Sequence, residues 1–365
     1  MKRNPFFWIG ALALASLVSI GTDPLSAQTR SAAETKTAKP PAATASKTPA
    51  KSSTRYSAAR ARNRRAALAR ARAAAYAREV GESLPRLKTD ESGVLVPDVR
   101  AEAAIVYDPE TNQVLWEQNS QTQRSIASIT KVMTAVVFLE DNPELSTPVT
   151  VARSDVFRAS TTFLRANDKL TVDDLLHLLL IASDNAAARA LARVSPLGTE
   201  GFINRMNEKA AELELTSTHY EDTSGLLSDN VSSAFDMARL ITYASSDERI
   251  GSIMRTSEYS LRTANVRPRP ISFRSTNHLL GRQDVEVRAG KTGFISKAGY
   301  CLATLLRLPH SGSQVAVVVL GARSNAGRFV ETRNLFDWLS TKTQTLFSAA
   351  ASPVPPVAPA QAAAQ

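Results

Sequence analysis

Apolar positions along the chain change their period twice. Ala103-Ala104-Ile105-Val106-Tyr107 and Gln113-Val114-Leu115-Trp116 are short apolar runs separated by Asp108-Pro109-Glu110-Thr111-Asn112. Turn formers between two such runs predict a β-hairpin. From Ser128 to about Asp141 the spacing becomes helical, with Ile129, Val132, Met133, Val136 and Val137 on one stripe. A largely helical middle follows, from about Val172 to Ile250. Strand-like runs return at Glu286–Phe294, Gly299–Leu306 and Gln314–Ala322, and an amphipathic helix over roughly Ala326–Leu339 packs through Phe329, Leu335, Phe336 and Leu339. Strands at both ends of a helical middle predict a mixed α/β fold: one sheet, built from distant segments and covered by helices.

The rest of the chain has no such pattern. Residues 1–27 read as a secretory signal, with Lys2-Arg3, an uncharged run from Pro5 to Gly21, and Leu25-Ser26-Ala27 as the cleavage site. Export to the periplasm follows, with an uncleaved anchor as the alternative. Residues 28–54 hold almost no large apolar side chain and cannot bury enough surface to fold. Residues 55–80 interleave arginine with alanine, the composition of a solvated basic helix. The domain division is therefore 1–27 signal, 28–92 basic disordered or partly helical linker, 93–345 folded domain and 346–365 Ala/Pro-rich disordered tail. The chain's net charge is +10, yet residues 28–80 alone carry 13 Lys or Arg against two acids, so the remainder is close to neutral. That arm fits an anionic envelope polymer or lipid surface rather than nucleic acid, given the export signal.

Little chemistry is on offer outside three motifs. Cys301 is the single cysteine, so no intrachain disulfide forms, and its strand-like context predicts a buried packing residue. The four histidines show no metal-ligand spacing, and no Gly-x-Ser-x-Gly elbow occurs. In order come Ser128-Ile129-Thr130-Lys131, Ser183-Asp184-Asn185 and Lys291-Thr292-Gly293. Of 12 lysines only Lys131 has a serine three residues before it. Ser-Asp-Asn recurs at 228–230, but there it follows Gly225-Leu226-Leu227 in a turn-like setting and reads as a decoy. A serine opening a helix presents its hydroxyl and amide at the positive end of the helix dipole, and a lysine three positions on lies on the same face. That lysine is a base only when neutral, which requires burial and a second nearby cation, for which Lys291 is the candidate.

This ordered triple, S-x-x-K with S-D-N and K-T-G, is shared by class A β-lactamases and penicillin-binding proteins. Around it the chain resembles the low-molecular-mass penicillin-binding proteins, the serine-type D-alanyl-D-alanine peptidases, from about Ala103 to Leu339. The likeness includes Lys131-Val132-Met133-Thr134-Ala135, then Thr216-x-x-His219-Tyr220-x-Asp222-x-x-Gly225-Leu226, then Asn230-x-Ser232-Ser233-Ala234-x-Asp236. Gly290-Lys291-Thr292-Gly293-Phe294-Ile295-Ser296-Lys297-Ala298-Gly299 looks most like the endopeptidase branch, which cuts D-alanyl-diaminopimelate cross-links. The short remainder after Leu339 points the same way, since carboxypeptidases of the family often add a β domain and an anchor.

The resemblance implies a β-lactamase/transpeptidase-like fold with an antiparallel sheet, and a catalytic set of Ser128, Lys131 and Ser183. It implies that Ser183 relays a proton to the leaving amine and that Asn185 holds Lys131 and the substrate amide. Lys291 and Thr292 would meet the substrate carboxylate, and the amides of Ser128 and Phe294 would form the oxyanion hole. Gly293 would let the edge strand approach the substrate. Peptidoglycan peptides are then the substrates and β-lactams the covalent inhibitors, with no metal or cofactor required. Arg323 and Arg328, after the Gln314–Ala322 strand, read as surface charge, with assistance in carboxylate binding as the alternative. The alternatives, in order, are a D-alanyl-D-alanine carboxypeptidase, a serine β-lactamase and a non-catalytic wall-binding protein. Against the β-lactamase stands the lack of a Glu-x-x-Leu-Asn pattern, of which Glu212-Leu213-Glu214-Leu215-Thr216 is a poor imitation.

Overall fold

A computed structural model describes residues 60–74, 86–309 and 311–351. The expected signal, most of the linker and the tail from residue 352 lie outside the described residues. Residues 60–74 are helical and exposed along their whole length.

Five antiparallel strands form the central sheet. They are β1 (Ala103–Asp108), β2 (Gln113–Gln118), β3 (Glu286–Ile295), β4 (Gly299–Arg307) and β5 (Gln314–Ala322), in the order β3-β4-β5-β1-β2. The two ends of the domain meet where β5 pairs with β1, Val318 opposite Ile105. Alternation then splits the apolar side chains between two cores. Ala316, Val318 and Leu320 belong to one cluster with the helical lobe, while Val315, Val317 and Val319 pack with Phe329, Leu335, Phe336 and Leu339 of the last helix. Burial on both faces is why these strands read as nearly continuous apolar runs.

The longer helices of the domain are α1 (Thr130–Leu139), α2 (Val172–Leu180), α3 (Asn185–Val194), α4 (Gly198–Glu212), α5 (Ala234–Ser246), α6 (Glu248–Arg255) and α7 (Asn325–Ala351). Local chemistry starts them. Thr171 and Asp174 make a capping box for α2, and Asp184 and Ser233 cap α3 and α5. α1 departs from the expected one-sided stripe, because every residue from Thr130 to Leu139 is buried. It runs through the middle of the helical lobe, so it is buried on every side.

Two boundaries move. Leu87–Thr89 pairs with Leu95–Pro97 around Gly93, and Trp338 Nε1 donates to Leu95 O (3.2 Å) while Asn334 Nδ2 donates to Arg86 O (3.0 Å). The folded part therefore includes chain before Gly93, which a start at residue 93 leaves out. Each strand has only three residues, too few to show a period. α7 also continues to Ala351, past Leu339 and past the predicted start of the tail at 346.

Candidate active site

Ser128 sits in a one-turn 3-10 helix, Ala127–Ile129, that leads into α1. Ala127 takes φ +49°, a left-handed conformation that costs about 1 kcal/mol or more in a non-glycine residue. The turn persists because its surroundings fix it. Thr130 Oγ1 donates to Ala127 O (2.8 Å), and edge strand β3 packs against the turn. Gly293 is needed for that approach: a Cβ there would lie 2.7 Å from Ile126 O and 3.1 Å from Ser128 N. The missing side chain thus admits the serine-bearing turn.

At the second residue of α1, one turn on from Ser128, Lys131 is fully buried with its Nζ 3.0 Å from Ser128 Oγ. The same Nζ donates to Asn185 Oδ1 (2.6 Å) and to Ser224 O (2.6 Å). Burial lowers the Lys131 pKa to about 7, with Asp222 and Asp184 opposing the shift and Arg189 adding to it. Of the two causes expected from sequence, desolvation is the larger, and the cation that adds to it is Arg189. Lys291 is the other buried amine, and burial together with the Lys131 charge lowers its pKa strongly. Its Nζ donates to Ser183 Oγ (2.7 Å) and Thr292 O (2.9 Å).

Ser183 lies between α2 and α3 at φ +59°, the second strained residue of the site. Asp184 beside it is buried and accepts from Ala187 N (3.0 Å), Phe163 N (2.6 Å) and Thr162 Oγ1 (2.9 Å). It starts α3 and pins the 161–163 segment. Asn185 gives Oδ1 to Lys131 and spends one Nδ2 hydrogen on Ala159 O (2.7 Å), leaving a single N–H for any substrate.

The eight residues singled out in the sequence come together. Ser128, Ser183, Asn185, Thr292, Gly293 and Phe294 line one open cleft of about 420 Å³, and Lys131 and Lys291 are buried at its edge. Thr292 shares a hydrogen bond with Thr276 Oγ1 (2.5 Å). Phe294 leaves its ring 48% exposed at the rim, stacked on Tyr300 at 4.2 Å.

Sequence reasoning missed two parts. Arg328 is not surface charge: it is buried in the cleft wall, donates to Gly293 O (3.0 Å) and Cys301 O (3.2 Å), and lies over Phe329. Burial lowers its pKa to about 10. Its position one turn into a helix that packs on β4 and β5 was the available signal. Arg323 is exposed, as expected. The other missed part is the carbonyl of Ser224, which no side-chain pattern could flag. Cys301 is buried as predicted. The arrangement gives a hydroxyl a basic neighbour and sets a second amine–hydroxyl pair across the cleft.

The sequence matches a family described as D-alanyl-D-alanine carboxypeptidase over residues 90–324. A D-alanyl-D-alanine endopeptidase of Escherichia coli is 32% identical over 247 residues, covering 67% of this chain and 79% of that protein. The D-alanyl-D-alanine carboxypeptidase DacD of the same organism is 35% identical over 254 residues, covering 66% of this chain and 63% of its own. Among solved structures, the Streptomyces K15 DD-transpeptidase aligns with a TM-score of 0.63 at 27% identity, over 67% of this chain and 98% of that one.

Proposed function

The chain belongs to the D-alanyl-D-alanine carboxypeptidase family of serine peptidases, and on that premise we propose that it is a D-alanyl-D-alanine endopeptidase that cuts peptidoglycan cross-links through an acyl-enzyme on Ser128. The observation that carries the chemistry is the environment of Lys131 Nζ. A neutral amine has two hydrogens and one lone pair. Asn185 Oδ1 and the Ser224 carbonyl only accept, so they take both hydrogens and the lone pair is left facing Ser128 Oγ. The hydroxyl proton passes to Lys131 as Oγ attacks the D-alanyl carbonyl.

The tetrahedral oxyanion is held by the amides of Ser128 and Phe294. As it collapses, the C–N bond breaks and the departing amine takes a proton by way of Ser183, which Lys291 holds at 2.7 Å. The proton taken from Ser128 thus leaves with the amine, and Lys131 is neutral again. As water attacks the ester, Lys131 takes the water's proton and passes it to Oγ, freeing the acid. A β-lactam enters the same acylation, and its ring-opened ester leaves slowly.

The endopeptidase reading is supported by the likeness to the E. coli endopeptidase, which takes in the greater share of that protein's length. It is also supported by the wide cleft and the exposed Phe294 rim, which leave room for a leaving group larger than D-alanine. Digesting purified muropeptides and weighing the products tests this. Dimers should become monomers, and Ser128→Ala should abolish the conversion. Loss of a single D-alanine from pentapeptides with dimers intact would make it a carboxypeptidase instead. The exposed helix at 60–74, with arginines at 60, 62, 64, 65, 70 and 72, supports attachment of the exported enzyme to an anionic envelope polymer.

A further inference from the structure

The second Ser-Asp-Asn copy, Ser228-Asp229-Asn230, has no part in the chemistry above, yet its asparagine is completely buried. Asn230 Oδ1 accepts from Glu221 N (3.1 Å) and Asp222 N (3.2 Å). Its Nδ2 donates to Leu227 O (2.9 Å) and Asp222 Oδ2 (3.2 Å), so the side chain's polar groups are all engaged. Its main-chain oxygen accepts from Ile126 N (3.1 Å), two residues before Ser128.

Asp222 continues the arrangement. Its carboxylate accepts from the backbone amides of Ser224 (2.5 Å), Gly225 (2.6 Å) and Leu227 (2.6 Å), and from Ser224 Oγ (2.8 Å). So many donors on one partly buried carboxylate fix the 222–227 turn in a single shape. That shape aims the Ser224 carbonyl at Lys131. On either side, Thr223 O accepts from Thr134 Oγ1 (2.7 Å), and Gly225, at φ +77°, lies so close that a Cβ would stand 2.0 Å from Ala127 O.

We infer that Asp222 and Asn230 are positioning residues for acylation, holding the Ser224 carbonyl on Lys131 and the Ser128 turn in register. The inference rests on the reading of Lys131 as the base. Without that carbonyl, one hydrogen of the amine loses its acceptor, and the amine is free to turn a hydrogen toward Ser128 in place of its lone pair. Charge acts as well. The groups facing Lys131 are Asp222 in this turn, Asp184 and Arg189 near the start of α3, and Lys291 on β3. Asp222 favours the ammonium form, so its loss makes Lys131 a weaker base.

The test is the second-order rate of Ser128 acylation by a fluorescent penicillin, measured on the full chain across about pH 5 to about pH 9. Asp222→Asn should lower the high-pH plateau by up to ~100-fold, the scale of a misplaced catalytic group. Its acid limb should also move to lower pH, because a negative charge has gone. A parental plateau, or a reduced plateau with an unmoved acid limb, would overturn the inference; the second outcome would mean a purely structural role. Should Asp222→Asn fail to fold by circular dichroism, Ser224→Ala removes a single donor to the carboxylate. It should lower the plateau a few-fold through the acylation step rather than through penicillin affinity, with the limb in place because the Asp222 charge remains. A parental plateau, or a loss confined to affinity, would overturn the inference. A parent chain that takes no label at Ser128 overturns the peptidase chemistry itself, whereas a labelled parent matched by its variants overturns only the positioning role.

Discussion

On the proposed chemistry, burial keeps water from Lys131 and lets it act as the base, and this fixes a pH dependence. Its pKa is lowered to about 7, and acylation needs the neutral amine, so the rate should climb as pH rises through about 7 and flatten above. Rates of penicillin labelling against pH measure this, and a flat profile would sink it. Lys131→Arg keeps the charge but cannot give up a proton, so labelling should fall at least ~100-fold at every pH. Gly293→Ala is a second residue-scale case. The new methyl meets two backbone atoms of the Ser128 turn, which cannot swing aside. Expect a lower Tm, from a cost of about 1–3 kcal/mol, and a sharp loss of labelling. The eight site residues were legible because each lies in a short motif whose chemistry is carried by residue type. Asp222 and Arg328 were not. Their roles depend on contacts such as Ser224 O to Lys131 and Arg328 to Gly293 O, made across long stretches of chain with no fixed spacing.

The same distinction holds for elements. The five sheet strands and the start of the last helix were readable to within a few residues. Burial on both faces gives β1, β4 and β5 long apolar runs, and polar turns such as Pro109-Glu110-Thr111-Asn112 and Ser296-Lys297-Ala298 break them. The full burial of α1 was less visible, because Thr130, Lys131 and Thr134 interrupt its apolar pattern while still lying inside. Those polar positions are the ones that serve the site, through Ala127 O, Ser128 and Thr223 O. The hairpin of Leu87–Thr89 and Leu95–Pro97 was missed, and it makes a prediction at this scale. A chain starting at Arg86 should melt like the longer protein. One starting at Gly93 loses the strand pair and leaves Asn334 without its Arg86 partner. That lost hydrogen bond alone is worth about 1 kcal/mol, so thermal unfolding should show a Tm lower by several degrees. Equal melting temperatures would mean that the hairpin adds nothing to the fold.

Charge is the property that belongs to the whole molecule. The net charge of +10 resides in residues 28–80, while the rest of the chain, which includes the catalytic domain, is near neutral. A near-neutral enzyme tied to an arm that binds an anionic envelope surface, as proposed, would separate where the protein sits from what it cuts. On that basis, deleting residues 28–80 should leave the turnover of soluble cross-linked muropeptides unchanged, because every residue around Ser128 lies outside the deletion. Retention on isolated sacculi should fall. For the intact chain it should weaken steadily with added salt, since the Debye length shrinks from ~10 Å at 0.1 M to ~3 Å at 1 M. The two measurements together are decisive. Salt-insensitive retention would assign wall binding to the cleft, and loss of soluble turnover on deletion would tie the arm to catalysis. Salt-sensitive retention with intact turnover leaves attachment and chemistry as separate functions of separate stretches of the chain.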